Sequence, residues 1–319
     1  MTATGNPIID RSAPVRDMRA AVLAEHYRAL DWTVPRFYQS PTALAGGGSQ
    51  FRGAFVEDCL VIVKWKQFYS QRVAYAILPP MSYRGNADDE RRAVLALQEN
   101  GFGVMLVEQD LARLDLRDDD LELVRGNAEY VYRASDLAKL EGGRWASLRT
   151  QKHRAERDGY RCVTSTVLEH GTDDLVALTQ RWVKYRGKGA SMLGYAKSLG
   201  GWPDTTVFRL YVDDELSAYS YTEDVGTGAL ITSRLRDYAV TGIHDPMSLL
   251  AHHEAAWELE HKGDRLMNLG AADPVGGAGL RQHKAALHPL FTQQVYRLPP
   301  LATPAPVPAP EPAQLEMVL

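Results

Sequence analysis

The chain of 319 residues has the length of two domains of roughly 150 residues each. Hydrophobic residues make up 45% and charged ones 24%, which excludes a disordered polyelectrolyte. With 36 Lys and Arg against 40 Asp and Glu the formal charge is −4, which excludes a uniformly basic nucleic-acid coat but not a local basic patch. Cys59 and Cys162 are too few for a disulfide framework or a cysteine zinc site, and they suit a reducing, cytoplasmic setting.

Residues 1–13 read as a flexible leader without the apolar run of a signal peptide. Met18, Val22, Leu23, Tyr27 and Leu30 recur at helical spacing and predict an amphipathic helix over 15–30. Gly46-Gly47-Gly48 is a turn, and 54–81 reads strand, turn, strand. The apolar stretches 59–63 and 73–80 fall far short of the ~20 residues of a spanning helix, so no integral membrane association is expected. Pro79-Pro80 and Gly85-Asn86 break the chain before a helix over 88–100 and a buried strand over 102–107. The run Glu108, Asp110, Asp115, Asp118, Asp119, Asp120 and Glu122 reads as a solvated loop.

A strand over 128–133 follows, then Ser135 as a helix N-cap, and Gly142-Gly143 as a break before a basic helix ending at Asp158. A short strand over 161–167 precedes a helix capped by Thr172 or Asp173 and running to about Tyr185. Three consecutive strands, 208–213, 216–222 and 229–235, turn at Asp213-Asp214 and at Gly226-Thr227-Gly228. Pro246 stands in the first turn of a long helix to His261, where its missing N–H costs little. A strand over 266–269, a glycine-rich loop and a strand over 292–297 complete the pattern. From Pro299 seven prolines fall in 14 residues, a semi-rigid, unpacked tail over 299–319. The economical architecture is α/β, with one unit over 14–135 and a second over 136–298, each a mixed sheet flanked by helices.

Two features carry chemistry. The first is basic: 144–161 holds Arg144, Arg149, Lys152, Arg154, Arg157 and Arg161 against Glu156 and Asp158. Further on, 181–197 holds Arg181, Lys184, Arg186, Lys188 and Lys197 with no acid. Two such blocks suit a phosphate-binding surface, or, in the plainer reading, solvated helix faces with snorkelling stems. The second runs from Asn268 through Asp273, Gly276 and Gly279 to Arg281, His283 and Lys284. An Asp here can position or deprotonate a nucleophile, and Arg and Lys can stabilise an oxyanion. A tight loop with a surface ion pair is the plainer reading. No nucleophile elbow, phosphate-binding loop or metal motif occurs, so no metal is expected. His252 and His253 read as surface or core-edge residues. His283 is the better proton-transfer candidate, although no neighbour in sequence fixes its tautomer.

At these places the sequence resembles the C-terminal domain of bacterial lysylphosphatidylglycerol synthases. Glu129-Tyr130-Val131-Tyr132 and Asp136 through Gly142, leading into the basic helix, resemble that family's "EYxY…DLAxLxG…KxxKRN". Asn268, Asp273 and Gly279-Leu280-Arg281 with Lys284 resemble its "N…D.G..GLRxxK", followed by Pro289, Phe291 and Tyr296 in place of "P.F…KY". Gly242-Ile243-His244 takes the place of its "GLY", and the likeness spans about 50–298. The chain departs from the pattern at Leu148 through Arg154, where the family's Asn is missing. It also has one extra residue between Asp273 and Gly279, and Ser233-Arg234 stands where an acid–base pair is usual.

The resemblance implies a tandem GNAT-like acyltransferase fold related to the Fem transferases, with aminoacyl-tRNA as co-substrate and no bound cofactor. It implies transfer of an amino acid to an amine or hydroxyl of a small molecule or other acceptor. Asp273 would orient the nucleophile or the α-amino group, and Arg281 and Lys284 would serve the oxyanion or the terminal phosphate. Asn268 would bond the aminoacyl group or, alternatively, the backbone of its own turn. Gly276, Gly279, His283 and Arg234 would complete the substrate site. Arg149, Lys152, Arg154, Lys184 and Arg186 would follow the acceptor stem of the tRNA, with Trp182, Tyr185 or Trp202 stacking on its terminal adenine. Two rivals stay open. One is an acetyl-CoA or acyl-CoA N-acyltransferase, whose donor diphosphate needs consecutive backbone N–H groups at a strand–helix junction. The other is a transferase that modifies DNA or RNA.

Overall fold

The computed structural model describes residues 7–14, 34–36, 39–46, 51–68, 71–116, 122–187, 190–226, 228–236, 245–271 and 278–302. The helix expected over 15–30, the acids 118–120, the 242–244 segment, Asp273, Gly276 and the tail beyond 302 lie outside the described residues.

In chain order the elements begin with α1 (Pro7–Arg11), β1 (Ala13–Pro14), α2 (Pro41–Gly46), β2 (Phe51–Val56), β3 (Cys59–Phe68), β4 (Gln71–Ala76) and β5 (Met81–Ser82). They continue with α3 (Ala87–Glu99), β6 (Gly103–Val107), α4 (Glu108–Leu114), β7 (Glu122–Arg133), α5 (Ala134–Lys139), α6 (Ala146–Arg157) and β8 (Arg161–Thr166). Then come α7 (Val167–His170), α8 (Asp173–Arg186), α9 (Ala190–Ser198), β9 (Thr206–Val212), β10 (Glu215–Asp224) and β11 (Ala229–Arg236). The last are α10 (Pro246–His261), β12 (Leu266–Ala271), α11 (Ala278–Ala286) and β13 (Phe291–Leu298). Two compact units form, and no single cut separates them. Met1–Thr33, Gly47–Ala128 and Gln293–Leu319 make the first, and Val34–Gly46 with Glu129–Thr292 makes the second.

In the first unit the strand order is β1-β2-β3-β4-β6-β13, antiparallel except for the β4–β6 pair. Alternate residues Val61, Val63, Ala74, Ala76, Val104 and Leu106 form the core, against which α3 lays Val94 and Leu97. Asn86 caps α3 by accepting the Asp88 N–H at 2.9 Å. The acidic run does not begin as a loop. Glu108–Leu114 is helical because Leu111 and Leu114 point into the core and Asp110 turns back to accept the Val107 N–H at 2.8 Å. One of the seven acids that suggested solvation, Asp110, is a helix cap.

In the second unit the order is β8-β9-β10-β11-β12-β7, antiparallel except for the parallel β11–β12 pair that α10 connects. Ser135 lies inside the first turn of α5 rather than at its cap, and its N–H donates to Asp264 Oδ1 at 2.9 Å. Helix α9, which the sequence pattern does not announce, fills 190–198. The segment 34–46 is tied into this unit by polar contacts. Arg36 Nε lies 3.6 Å from Glu129 Oε1 with both side chains buried. Thr42 N–H donates to Glu223 Oε1 at 3.0 Å, Ser40 donates to the same carboxylate, and Ser198 donates to the Thr42 carbonyl at 3.0 Å. Gly228 makes room for the segment. A Cβ there would stand 2.5 Å from the Leu266 carbonyl oxygen and 2.9 Å from Pro35 Cγ, so no side chain fits.

Candidate functional site

The site grows from a divergence of two strands. The parallel strands β11 and β12 pair at Ala229 with Met267 and at Leu230 with Asn268. Beyond Asn268, β12 slips register against β7, resuming with Ala271 opposite Glu129. The carboxyl end of such a parallel pair is the usual place for a ligand in an α/β sheet.

Three side chains fix the end of β12. Asn268 is fully buried; its Nδ2 donates to the Pro35 carbonyl at 2.7 Å and to Glu129 Oε2 at 2.6 Å, and its Oδ1 accepts the Gly270 N–H at 2.7 Å. The residue therefore holds its own turn and the 34–46 segment, the second of its two expected roles. Gly270 takes φ +75°, a left-handed conformation that favours glycine. The turn gathers three consecutive carbonyls around Lys284. Its Nζ donates to Leu269 at 2.7 Å, Gly270 at 2.6 Å and Ala271 at 2.9 Å, and lies 5.5 Å from the centre of the Tyr130 ring. An ammonium has three donors, and here all three point at carbonyls. The lysine expected to serve an oxyanion or phosphate thus ties down the strand end. Tyr132 completes the tie, donating from its hydroxyl to the Lys284 carbonyl at 2.7 Å.

Across from α11 lies the start of α10. Asp245 is its N-cap, with Oδ1 accepting the Met247 N–H at 3.2 Å and Oδ2 accepting the Ser248 hydroxyl at 2.5 Å. The same Oδ2 lies 3.3 Å from His283 Nδ1 on α11. Burial pushes the Asp245 carboxyl up, but the hydrogen bond and charge of His283, with the Ser248 hydroxyl and amide, outweigh it and hold the carboxyl below the usual range. His283 Nε2 is buried and makes no hydrogen bond among the described residues. The sequence offers Pro246 as a helix signal but passes over Asp245. An Asp-Pro pair opening a periodic helix is the signal that could have found it.

The remaining expected residues divide. Arg281 is half-buried on α11, one turn before Lys284. Gly279 is exposed, and a Cβ there would meet nothing among the described residues. Arg234 lies on β11 opposite Ser220. Arg149 donates to the Leu140 and Gly142 carbonyls, closing the end of α5, and Lys152 lies 3.6 Å from Glu156. Arg154, Lys184 and Arg186 are exposed, as is Tyr185 between the last two, while Trp182 packs against the core. His252 Nδ1 meets the Leu137 carbonyl at 2.9 Å, and burial pushes His253 down to about 4, with the neighbouring His252 and Lys152 adding to it. Burial pushes Cys59 and Cys162 up to about 12, so neither is poised as a thiolate nucleophile. Among the described residues no helix is long and apolar enough to cross a membrane.

The sequence profile described as phosphatidylglycerol lysyltransferase, C-terminal, matches residues 28–299. A conserved protein of unknown function from Bacteroides thetaiotaomicron superposes with a TM-score of 0.65 at 17% identity, over 86% of this chain and 96% of that one. The C-terminal domain assigned to a lysylphosphatidylglycerol synthetase from Agrobacterium fabrum superposes at 0.63 with 16% identity, over 87% and 91%. L-PGS from Bacillus licheniformis gives 0.62 and 16%, over 88% and 91%, and the more distant FemX gives 0.53 and 8%, over 90% and 97%. At these identities the likeness is one of fold, a mixed α/β fold shared with those synthetase domains and with FemX. No functionally curated protein matches the chain in sequence.

Proposed function

Because the chain belongs to the phosphatidylglycerol lysyltransferase C-terminal family, a family of aminoacyltransferases, we propose that its donor is an aminoacyl-tRNA. The acceptor in this reading is an amine or hydroxyl of a small molecule, and the reaction takes place in the cytoplasm. The ester at the tRNA 3′ end is already activated, so the protein has to position a nucleophile, stabilise the tetrahedral oxyanion and return a proton to the ribose oxygen. Arg281 is assigned to the oxyanion or the terminal phosphate. Asp273, outside the described residues, is assigned to orienting the nucleophile or the α-amino group.

The start of α10 is the observation that carries the choice of donor. An acyl-CoA diphosphate seeks a run of open N–H groups at such a helix start. Here Pro246 has no N–H, the Met247 N–H is taken by Asp245, and the carboxylate itself would face the diphosphate. Exposed Arg154, Lys184 and Arg186, with Tyr185 among them, supply cations and a stacking surface suited to a nucleic-acid donor.

The test supplies a labelled mixture of charged tRNAs and, separately, acetyl-CoA. Loss of label from charged tRNA supports the reading, and consumption of acetyl-CoA instead overturns it. Asp273→Ala is expected to abolish transfer while leaving charged tRNA bound.

A further inference from the structure

We infer that His283, held by Asp245, is the group that carries the proton during acyl transfer at this site; the inference rests on the aminoacyltransferase reading. Three observations meet at one imidazole. Its Nδ1 faces a carboxylate that is itself fixed at the start of a helix. Its Nε2 is buried and makes no hydrogen bond to the described residues, an arrangement that costs stability unless something else occupies the position. And α11, which carries it, is pinned at the next residue by the Lys284 carbonyl cage, so the ring is held on a rigid support.

The carboxylate sets the tautomer. With Nδ1–H donated to Asp245 Oδ2, the neutral ring keeps its lone pair on Nε2, the form a general base needs. Ser248 does not act as a nucleophile in this arrangement. Its hydroxyl donates to the same Oδ2, so it steadies Asp245 rather than receiving activation from His283. Among the described residues Asp245 faces the ring and Ser248 bonds the same carboxylate, while Arg281 and Lys284 share α11 with His283 and Lys284 donates to the end of β12. Asp245 is thus a positioning residue.

The step balances without any further reagent. As the acceptor's lone pair bonds to the ester carbonyl carbon, Nε2 takes the proton from its amine or hydroxyl, leaving an oxyanion. The oxyanion collapses, the carbon–oxygen bond to the ribose breaks, and Nε2–H returns the proton to the ribose oxygen. His283 ends neutral, and the products are acylated acceptor and uncharged tRNA.

The experiment uses the full chain with labelled charged tRNA and, in parallel, acetyl-CoA, with ethanolamine supplied as a combined amine and hydroxyl acceptor. His283→Gln is expected to lower kcat by about 100-fold or more with the KM for donor unchanged. Free imidazole is expected to restore part of the rate to His283→Gly, which a purely structural histidine would not allow. Nitrogen-15 spectra of the histidines, assigned with His283→Gln, should show His283 protonated on Nδ1, and Asp245→Asn should lose that preference. A wild-type protein that consumes neither donor overturns the transfer reading and the proton role with it. A wild-type protein that turns over while His283→Gln keeps its rate overturns the proton role alone, as does a His283 found protonated on Nε2.

Discussion

Lys284 Nζ lies 2.6 Å from the carbonyl oxygen of Gly270, with the carbonyls on either side of Gly270 at 2.7 and 2.9 Å. A buried cation held by peptide dipoles and an aromatic face does for a strand end what a ladder partner would otherwise do. Lys284→Met keeps the stem but strips three buried carbonyls of their donor. We expect a loss of about 2–5 kcal/mol in urea unfolding. A stable variant that has merely lost turnover would return the lysine to the reaction.

Asn268 should behave as a joint in the structure rather than as a ligand contact. Asn268→Ala removes the donor from Pro35 and Glu129 and the acceptor from Gly270. The expected cost is about 2–3 kcal/mol, measured by chemical denaturation, with the affinity for charged tRNA unchanged at temperatures where the variant is folded. Because Asn268 and Lys284 both fix the end of β12, the double variant should cost less than the two single losses together.

The charge on Asp245 makes stability depend on pH in a stated direction. Its folded pKa is held below the unfolded value of about 3.9, so its charge stabilises the fold above about pH 4, and that contribution is lost as pH falls through the folded value. Asp245→Asn keeps an acceptor for the helix start but removes the charge. After allowance for its partial exposure, a gap of about 1 kcal/mol between the two proteins is expected at pH 7, closing below about pH 4. A gap that stays constant across a pH series of denaturation curves would show that His283 does not feel the carboxylate.

Arg154, Lys184 and Arg186 should contribute to donor binding through phosphate charge alone. Each change to Ala is expected to flatten the slope of log affinity for charged tRNA against log salt by about 1. Filter binding between low and moderate salt measures this, and an unchanged slope in the triple variant would place the acceptor stem elsewhere.

Much of the second unit was legible as pattern, and its polar logic was not. The strands from Thr206 to Arg236 and helix α10 announce themselves through alternation, turns and a proline, because these are local signals. The candidate residues of α11 were legible as chemistry, yet their roles depend on partners distant in the chain. Asn268 meets Pro35 across 233 residues and Glu129 across 139. His283 meets Asp245 from the preceding helix. Charge misled most where a carboxylate caps a helix, as Asp110 does in α4, since composition does not distinguish an acid in water from one turned onto a backbone N–H. Helix α9 lacks strong amphipathic spacing and gave no local signal at all.

The placement of Val34–Gly46 in the second unit has a consequence for biosynthesis. Pro35 leaves the ribosome 233 residues before Asn268, an interval of roughly ten to fifty seconds at usual elongation rates. During that time Arg36, Ser40 and Thr42 have no completed surface to join, while strands β2 to β6 of the first unit emerge after them. The early segment must wait, uncommitted, as a looped-out strand of nascent chain. The second unit can close only when the β12 end arrives to receive it.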